Sequence, residues 1–204
     1  ALRRLDEFTN GRMPTAAPMS DVLDRNGRRV LVASSGSAGT SLLLNPHGLG
    51  LGIWTSVGLV LPEENRDQAV KAVGEIPKKK PEQTAWVFDA YLHHALGGNP
   101  PHVTLMWISE TDSAGHAHGV GAPQTLEAVK NVDRHIGRTM EALDAHGLGG
   151  RVNIFITADH GFSTTTGGFQ LSNILEEHGL ADQVKIVGNM IYPHSDDVQL
   201  LTRI

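Results

Sequence analysis

The sequence predicts an α/β fold in which a mainly parallel sheet is flanked by helices. Two observations carry that expectation. Continuous apolar runs of strand length occur at residues 29–34 (RVLVAS), 103–108 (VTLMWI) and 152–158 (VNIFITA), the pattern of strands covered on both faces. Between the last two lies a helix-length segment, 124–146, in which Leu126, Val129, Ile136, Met140 and Leu143 recur near a 3.6-residue period. Strand, long helix, strand is a βαβ unit, and its two strands are expected to run parallel.

The remaining elements follow in chain order. The run at 29–34 is a buried strand closed by a Gly/Ser cluster, and the Gly- and Ser-rich stretch 36–52 reads as a long loop. A helix is expected over 63–76, started by Pro62 and stopped by Pro77. A second covers 83–96, with Trp86, Ala90, Leu92 and Leu96 inward. On it, His93 and His94 point about 100° apart, so one is expected buried and one exposed. Lys78, Lys79 and Lys80, between two prolines, read as a solvated loop. Gly147 is a plausible stop for the long helix. A short helix over 169–177 and weaker strands at 184–187 and 198–201 complete the expectation.

Composition narrows the function classes. At 204 residues, 40% hydrophobic and 19% charged, the chain has the make-up of one substantial globular domain, residues 1–204. A net charge of −5 without a basic stripe argues against a nucleic-acid duplex as partner. No apolar run approaches the roughly 20 residues of a membrane helix. The absence of cysteine excludes a disulfide scaffold, thiolate zinc ligands and a thiol nucleophile. Oligomeric state and compartment stay open.

Two short strings carry the chemistry. Asp112-Ser113-Ala114-Gly115-His116 follows the strand at 103–108, and Asp159-His160-Gly161 follows the strand at 152–158. Each sets a carboxylate and an imidazole in a turn, the ligand types zinc takes when no thiolate is offered. In parallel sheets ligands bind beyond the carboxyl ends of strands, so both turns are expected at one sheet edge. Two such pairs suggest two metal ions, a recurrent device for displacement at phosphorus. His118 is either a third ligand or a solvent-facing neighbour, and Glu110 reads as structural.

Other signals carry less. Gly48-Leu49-Gly50-Leu51-Gly52 lacks the last glycine of a dinucleotide fingerprint because position 53 is Ile, and 36–41 lacks a P-loop ending. Thr40, Ser41 and Thr15 are candidate nucleophiles with nothing adjacent to activate them.

The string from Glu110 to Gly119, the helix with Asp133 and Gly137, and Thr157-Ala158-Asp159-His160-Gly161 closely resemble the type I phosphodiesterase/nucleotide pyrophosphatase family of the alkaline phosphatase superfamily. The resemblance spans roughly residues 28–192. It implies an alkaline-phosphatase-like α/β fold holding two zinc ions over a Thr or Ser nucleophile, acting on a small phosphate ester or nucleotide. Asp112 and His116 would serve one zinc, and Asp159 and His160 the other. The family's early aspartate ligand, its nucleophile segment and its late Gly-His-Gly histidine have no convincing counterpart here; His194 stands in a different context. The chain is therefore expected to be the central part of a larger catalytic domain, incomplete at both ends, with the nucleophile outside it and little activity alone. Phosphonoacetate hydrolase and phosphomonoesterase of the same superfamily are alternatives, as is a catalytically inactive globular fragment.

Overall fold

The computed structural model describes residues 4, 7–10, 16–163, 167–188 and 190–194. They belong to two compact units, Ala1–Phe162 and Ser163–Ile204.

The first unit is built on β1 (Val30–Ser34), every residue of which is buried. It pairs in parallel with β2 (Gly52–Thr55) on one side and with β4 (Val103–Trp107) on the other. Ser34 is in register with both Thr55 and Trp107. A two-residue strand, β3 (Val60–Leu61), adds antiparallel to β2, giving the order β3-β2-β1-β4. The sheet is thus mainly parallel and helix-flanked, as the apolar runs require.

Helix α1 (Met19–Arg25) precedes β1, and α2 (Ala38–Leu44) connects β1 to β2. The Gly- and Ser-rich composition of 36–52 predicts a loop. The structure corrects it: the Ser37 side chain caps α2 by accepting from the Thr40 amide at 3.1 Å, and three leucines follow. After a 3₁₀ turn at Glu63–Asn65 come α3 (Arg66–Val73) and α4 (Lys80–Ala95). Leu31, Ala33, Trp54, Val60, Ala69, Trp86, Val87 and Ala90 form the core between these helices and the sheet. Lys80 opens α4 rather than lying in a solvated loop, and its ammonium donates to Ser109 Oγ at 2.7 Å. His94 is half-buried edge-on against Trp54 (ring centroids 4.4 Å apart) and His93 is exposed, the expected division.

The glycines at 48–52 have a packing purpose. Gly50 sits at φ +67°, where a Cβ would lie 2.7 Å from the Val30 backbone nitrogen. Gly52 sits at φ +82°, where a Cβ would overlap the Leu61 carbonyl. Here glycine admits close strand approach at a left-handed backbone.

Beyond β4 come α5 (Glu110–His118), α6 (Pro123–Ala145) and a 3₁₀ turn at Gly149–Arg151. The long helix is where the period put it, but only part of the expected stripe is covered: Leu143 is buried and Ile136 half-buried, and the covered side is shifted toward Ala128 and Thr139. Its buried residues are Ala128, Thr139 and Leu143, whereas Leu126, Val129 and Met140 are half exposed. The covered face meets α4 through His135 stacked on Phe88 (5.3 Å) and Arg138 donating to Asp89 at 2.6 Å.

The expected strand at 152–158 is the largest correction. These residues have no strand conformation, and Phe155 and Ile156 are 91% and 73% exposed. Among the described residues the outer edge of β4 has no partner strand. Strand propensity depends on a neighbour to pair with, and composition alone supplies none.

The second unit contains α7 (Leu171–Glu177), a 3₁₀ turn at Ala181–Gln183 and an antiparallel hairpin of β5 (Val184–Val187) and β6 (Met190–Pro193). Leu175, Leu180 and Val184 form its small core. The strand expected at 198–201 lies outside the described residues.

Candidate metal centre

Asp112 and His116 were expected in a turn; they lie instead in α5, four residues apart, which brings both side chains to one helix face. Asp112 sits in the first turn, where a carboxylate is favoured by the amide groups of the helix start. The position of that turn is held from beneath. Glu110 is buried, and Asn131 Nδ2 on α6 donates to both of its carboxylate oxygens at 3.1 and 2.9 Å. Thr125 Oγ1 adds bonds to the carbonyls of Ala114 and Gly119 at 3.2 and 2.8 Å. Glu110 is therefore a strut, as the sequence suggested, and Asn131 is the partner the sequence did not reveal.

The two motifs meet. Asp112 Oδ1 stands 3.5 Å from His116 Nε2 and 3.5 Å from His160 Nε2. Asp159 Oδ2 lies 3.8 Å from His160 Nε2. Asp112, Asp159 and His160 are about half exposed and His116 more so, so the four side chains line an open surface. His160 Nδ1 lies 2.9 Å from the Gly161 carbonyl oxygen. A carbonyl only accepts, so Nδ1 carries the proton and Nε2 is left to face the carboxylates. That bond first, then the Asp159 carboxylate, raise the His160 imidazole above its ordinary value; desolvation opposes them, and Asp112 adds the weakest contribution.

Donor types and spacings fit part of a metal centre. Two donors about 2.1 Å from a tetrahedral ion are about 3.4 Å apart, close to the separation of Asp112 Oδ1 from each imidazole. A backbone carbonyl fixing the far ring nitrogen is the usual support of a ligating histidine. Among the described residues, no group of three or more His, Cys, Asp or Glu is arranged to hold an ion.

The remaining candidates lie elsewhere or do other work. His118 is exposed at the end of α5. Ser41 Oγ donates to the Ser37 carbonyl at 3.0 Å, and Thr40 Oγ1 pairs with Ser37 Oγ at 2.9 Å, so both hydroxyls serve the start of α2. Thr15 lies outside the described residues. His194, in the second unit, faces the Asp182 carbonyl at 3.2 Å. Sequence reasoning missed Phe162, whose ring stands 4.9 Å from that of His116 and 5.4 Å from that of His160. Its signal was only an aromatic residue directly after Asp-His-Gly.

Comparison with known proteins gives this geometry a context. The model of the family described as type I phosphodiesterase / nucleotide pyrophosphatase matches residues 60–200. Human ectonucleotide pyrophosphatase/phosphodiesterase family member 7 is 39% identical over 62 residues, 30% of this chain and 14% of that protein. Mouse family member 1 is 36% identical over 61 residues, 30% of this chain and 7% of its own length. Venom phosphodiesterase 2 of Crotalus adamanteus is 34% identical over 61 residues, 30% of this chain and 8% of its own length. The chain thus spans a small part of these relatives. No solved structure matches it.

Proposed function

This chain belongs to the type I phosphodiesterase/nucleotide pyrophosphatase family, and from that premise we propose that it supplies part of the metal centre of a hydrolase acting on phosphate esters or nucleotides. In this reading Asp112 and His116 serve one ion and Asp159 and His160 a second, with zinc the metal suited to such donors. The observation that supports it above all is the approach of Asp112 Oδ1 to both imidazoles at 3.5 Å, from motifs far apart in the chain. Zinc, when bound, would carry charge building on the phosphoryl oxygens and favour ionisation of the attacking oxygen.

The chain's own groups prepare that chemistry. The Glu110–Asn131 bonds fix the first turn of α5 and with it the Asp112 carboxylate. The Gly161 carbonyl selects the His160 tautomer whose Nε2 can donate a lone pair. We assign the attacking Thr or Ser to a segment outside this chain, because the Thr40 and Ser41 hydroxyls are engaged at the start of α2 and the sequence places nothing beside Thr15 to activate it. No helix among the described residues is long and apolar enough to cross a membrane. The acidic balance fits a small substrate rather than a duplex.

In a full-length enzyme, Asp112→Ala and His160→Ala should each lower kcat/KM on an activated phosphodiester about 100-fold or more, with loss of bound zinc. Full activity in both variants would sink the ligand assignment. The 204-residue chain itself, dialysed and analysed for metal, should hold less than a stoichiometric zinc pair and should not turn over the same diester. A tightly bound zinc pair would contradict the view that ligands are missing.

A further inference from the structure

We propose that Phe162 is a positioning residue that sets the His116 and His160 imidazoles relative to each other, and that the absence of a side chain at Gly115 is what seats it. The proposal rests on the metal-centre reading above and extends it to two residues outside the donor set.

The two imidazoles come from different segments, one from α5 and one from the stretch after 152–158, and a single ring meets both. Phe162 lies edge-on to His116 with centroids 4.9 Å apart and planes at 73°. It lies edge-on to His160 at 5.4 Å and 60°. Both fall in the range where the positive edge of one ring is attracted to the face of another. His160 is thus held by two neighbours, its Nδ1 by the Gly161 carbonyl and its ring by Phe162.

Gly115 explains how Phe162 gets there. Glycine is unfavourable inside a helix, so its place in α5, one residue before His116, needs a local reason. Backbone freedom is not that reason, because Gly115 is absent from the positive-φ positions of the chain. Space is. A Cβ at Gly115 would stand 3.2, 3.3 and 3.4 Å from Phe162 Cζ, Cε2 and Cε1, closer than the ring could comfortably keep. Gly137 in α6 has nothing within 4 Å of the same imaginary atom, so the close fit is particular to Gly115. Phe162 is also 41% exposed, which makes core burial a poor account of its position.

The test uses the 204-residue chain with and without Co²⁺ as the probe metal. In the metal-free chain, NMR should show the His116 and His160 ring protons displaced by the Phe162 ring current, with exposed His118 as internal reference. Phe162→Leu should remove those displacements. With Co²⁺, Phe162→Leu should weaken binding about tenfold and change the visible band, while Phe162→Tyr keeps both as in the parent. Gly115→Ala should also weaken Co²⁺ binding, yet leave the metal-free melting temperature unchanged or higher, because alanine favours helix. The added Phe162→Leu change should then cost little more. Ring-proton shifts identical in parent and Phe162→Leu would overturn the proposal, as would parent-like Co²⁺ binding in both Phe162→Leu and Gly115→Ala. If the shifts behave as expected but no Co²⁺ signal depends on Asp112, the ring packing stands and the metal-centre reading falls.

Discussion

The stretches RVLVAS and VNIFITA are nearly equivalent as sequences, both apolar, β-branched and of strand length, yet the protein treats them oppositely. The first supplies β1, hydrogen-bonded on both sides, with Val30, Leu31, Val32 and Ala33 all 0% exposed. The second has no ladder, and Phe155 stands almost fully in solvent. What separates them is not propensity but pairing. β1 has a parallel neighbour on each edge and helices over its faces, whereas β4 has no described strand on its outer side. Two histidines, one on α4 against the sheet and one just beyond the second stretch, differ in the same sense. His94, packed against Trp54, is pushed down to about 4 by burial and then by His93. His160, at the exposed end of the second stretch, is held up by the Gly161 carbonyl and the nearby carboxylates. One region is governed by loss of water, the other by local partners.

The sharpest way to break the comparison is to put a charge in each stretch. Val32→Asp buries an unpaired carboxylate and should cost more than about 4 kcal/mol, enough to abolish a cooperative urea transition. Phe155→Asp should stay within about 0.5 kcal/mol of the parent. Equal losses would mean that 152–158 is buried in solution.

A smaller effect is expected at the glycines. Gly52→Ala forces a Cβ toward the Leu61 carbonyl at φ +82° and should destabilise by about 3 kcal/mol in the same measurement. Gly161→Ala meets open space and should be nearly neutral in stability.

The pH dependence separates the two histidines. Because the folded value of His94 lies below its unfolded value of about 6.5, the unfolded chain takes up the proton first. Its contribution is therefore full above pH 6.5 and lost as pH falls toward 4. From the size of that shift, discounted for residual exposure, His94→Phe should reduce the pH 7 to pH 4 loss of stability by about 2 kcal/mol. His160, shifted the other way, should titrate by NMR above the ordinary histidine value, and its favourable interactions weaken as pH rises through its folded value. A His94 that titrates near 6.5 would remove the burial argument. The least effect belongs to Arg134→Ala, which breaks an exposed ion pair with Glu127 and should change stability by less than about 0.5 kcal/mol.

By itself the sequence determined the class of fold, the helices around 124–146 and 83–96, the strands at 29–34 and 103–108, and the two acid–histidine strings that identify the family. These are legible because apolar period, flanking prolines and short motifs are local properties of the chain. Only the tertiary structure decided which apolar stripe is covered. Of the residues that carry the period of α6, Leu143 is buried but Leu126, Val129 and Met140 stay half exposed, while Ala128 and Thr139 are covered, because α4 and α5 sit against that side. It also decided that 152–158 goes unpaired, that the glycines at 50 and 52 serve strand packing, and that Asn131 holds Glu110 while Phe162 rests on Gly115. Each of these depends on which distant residue arrives at a given place, and strand pairing, close backbone approach and ring contact leave no periodic mark in the chain that could announce them.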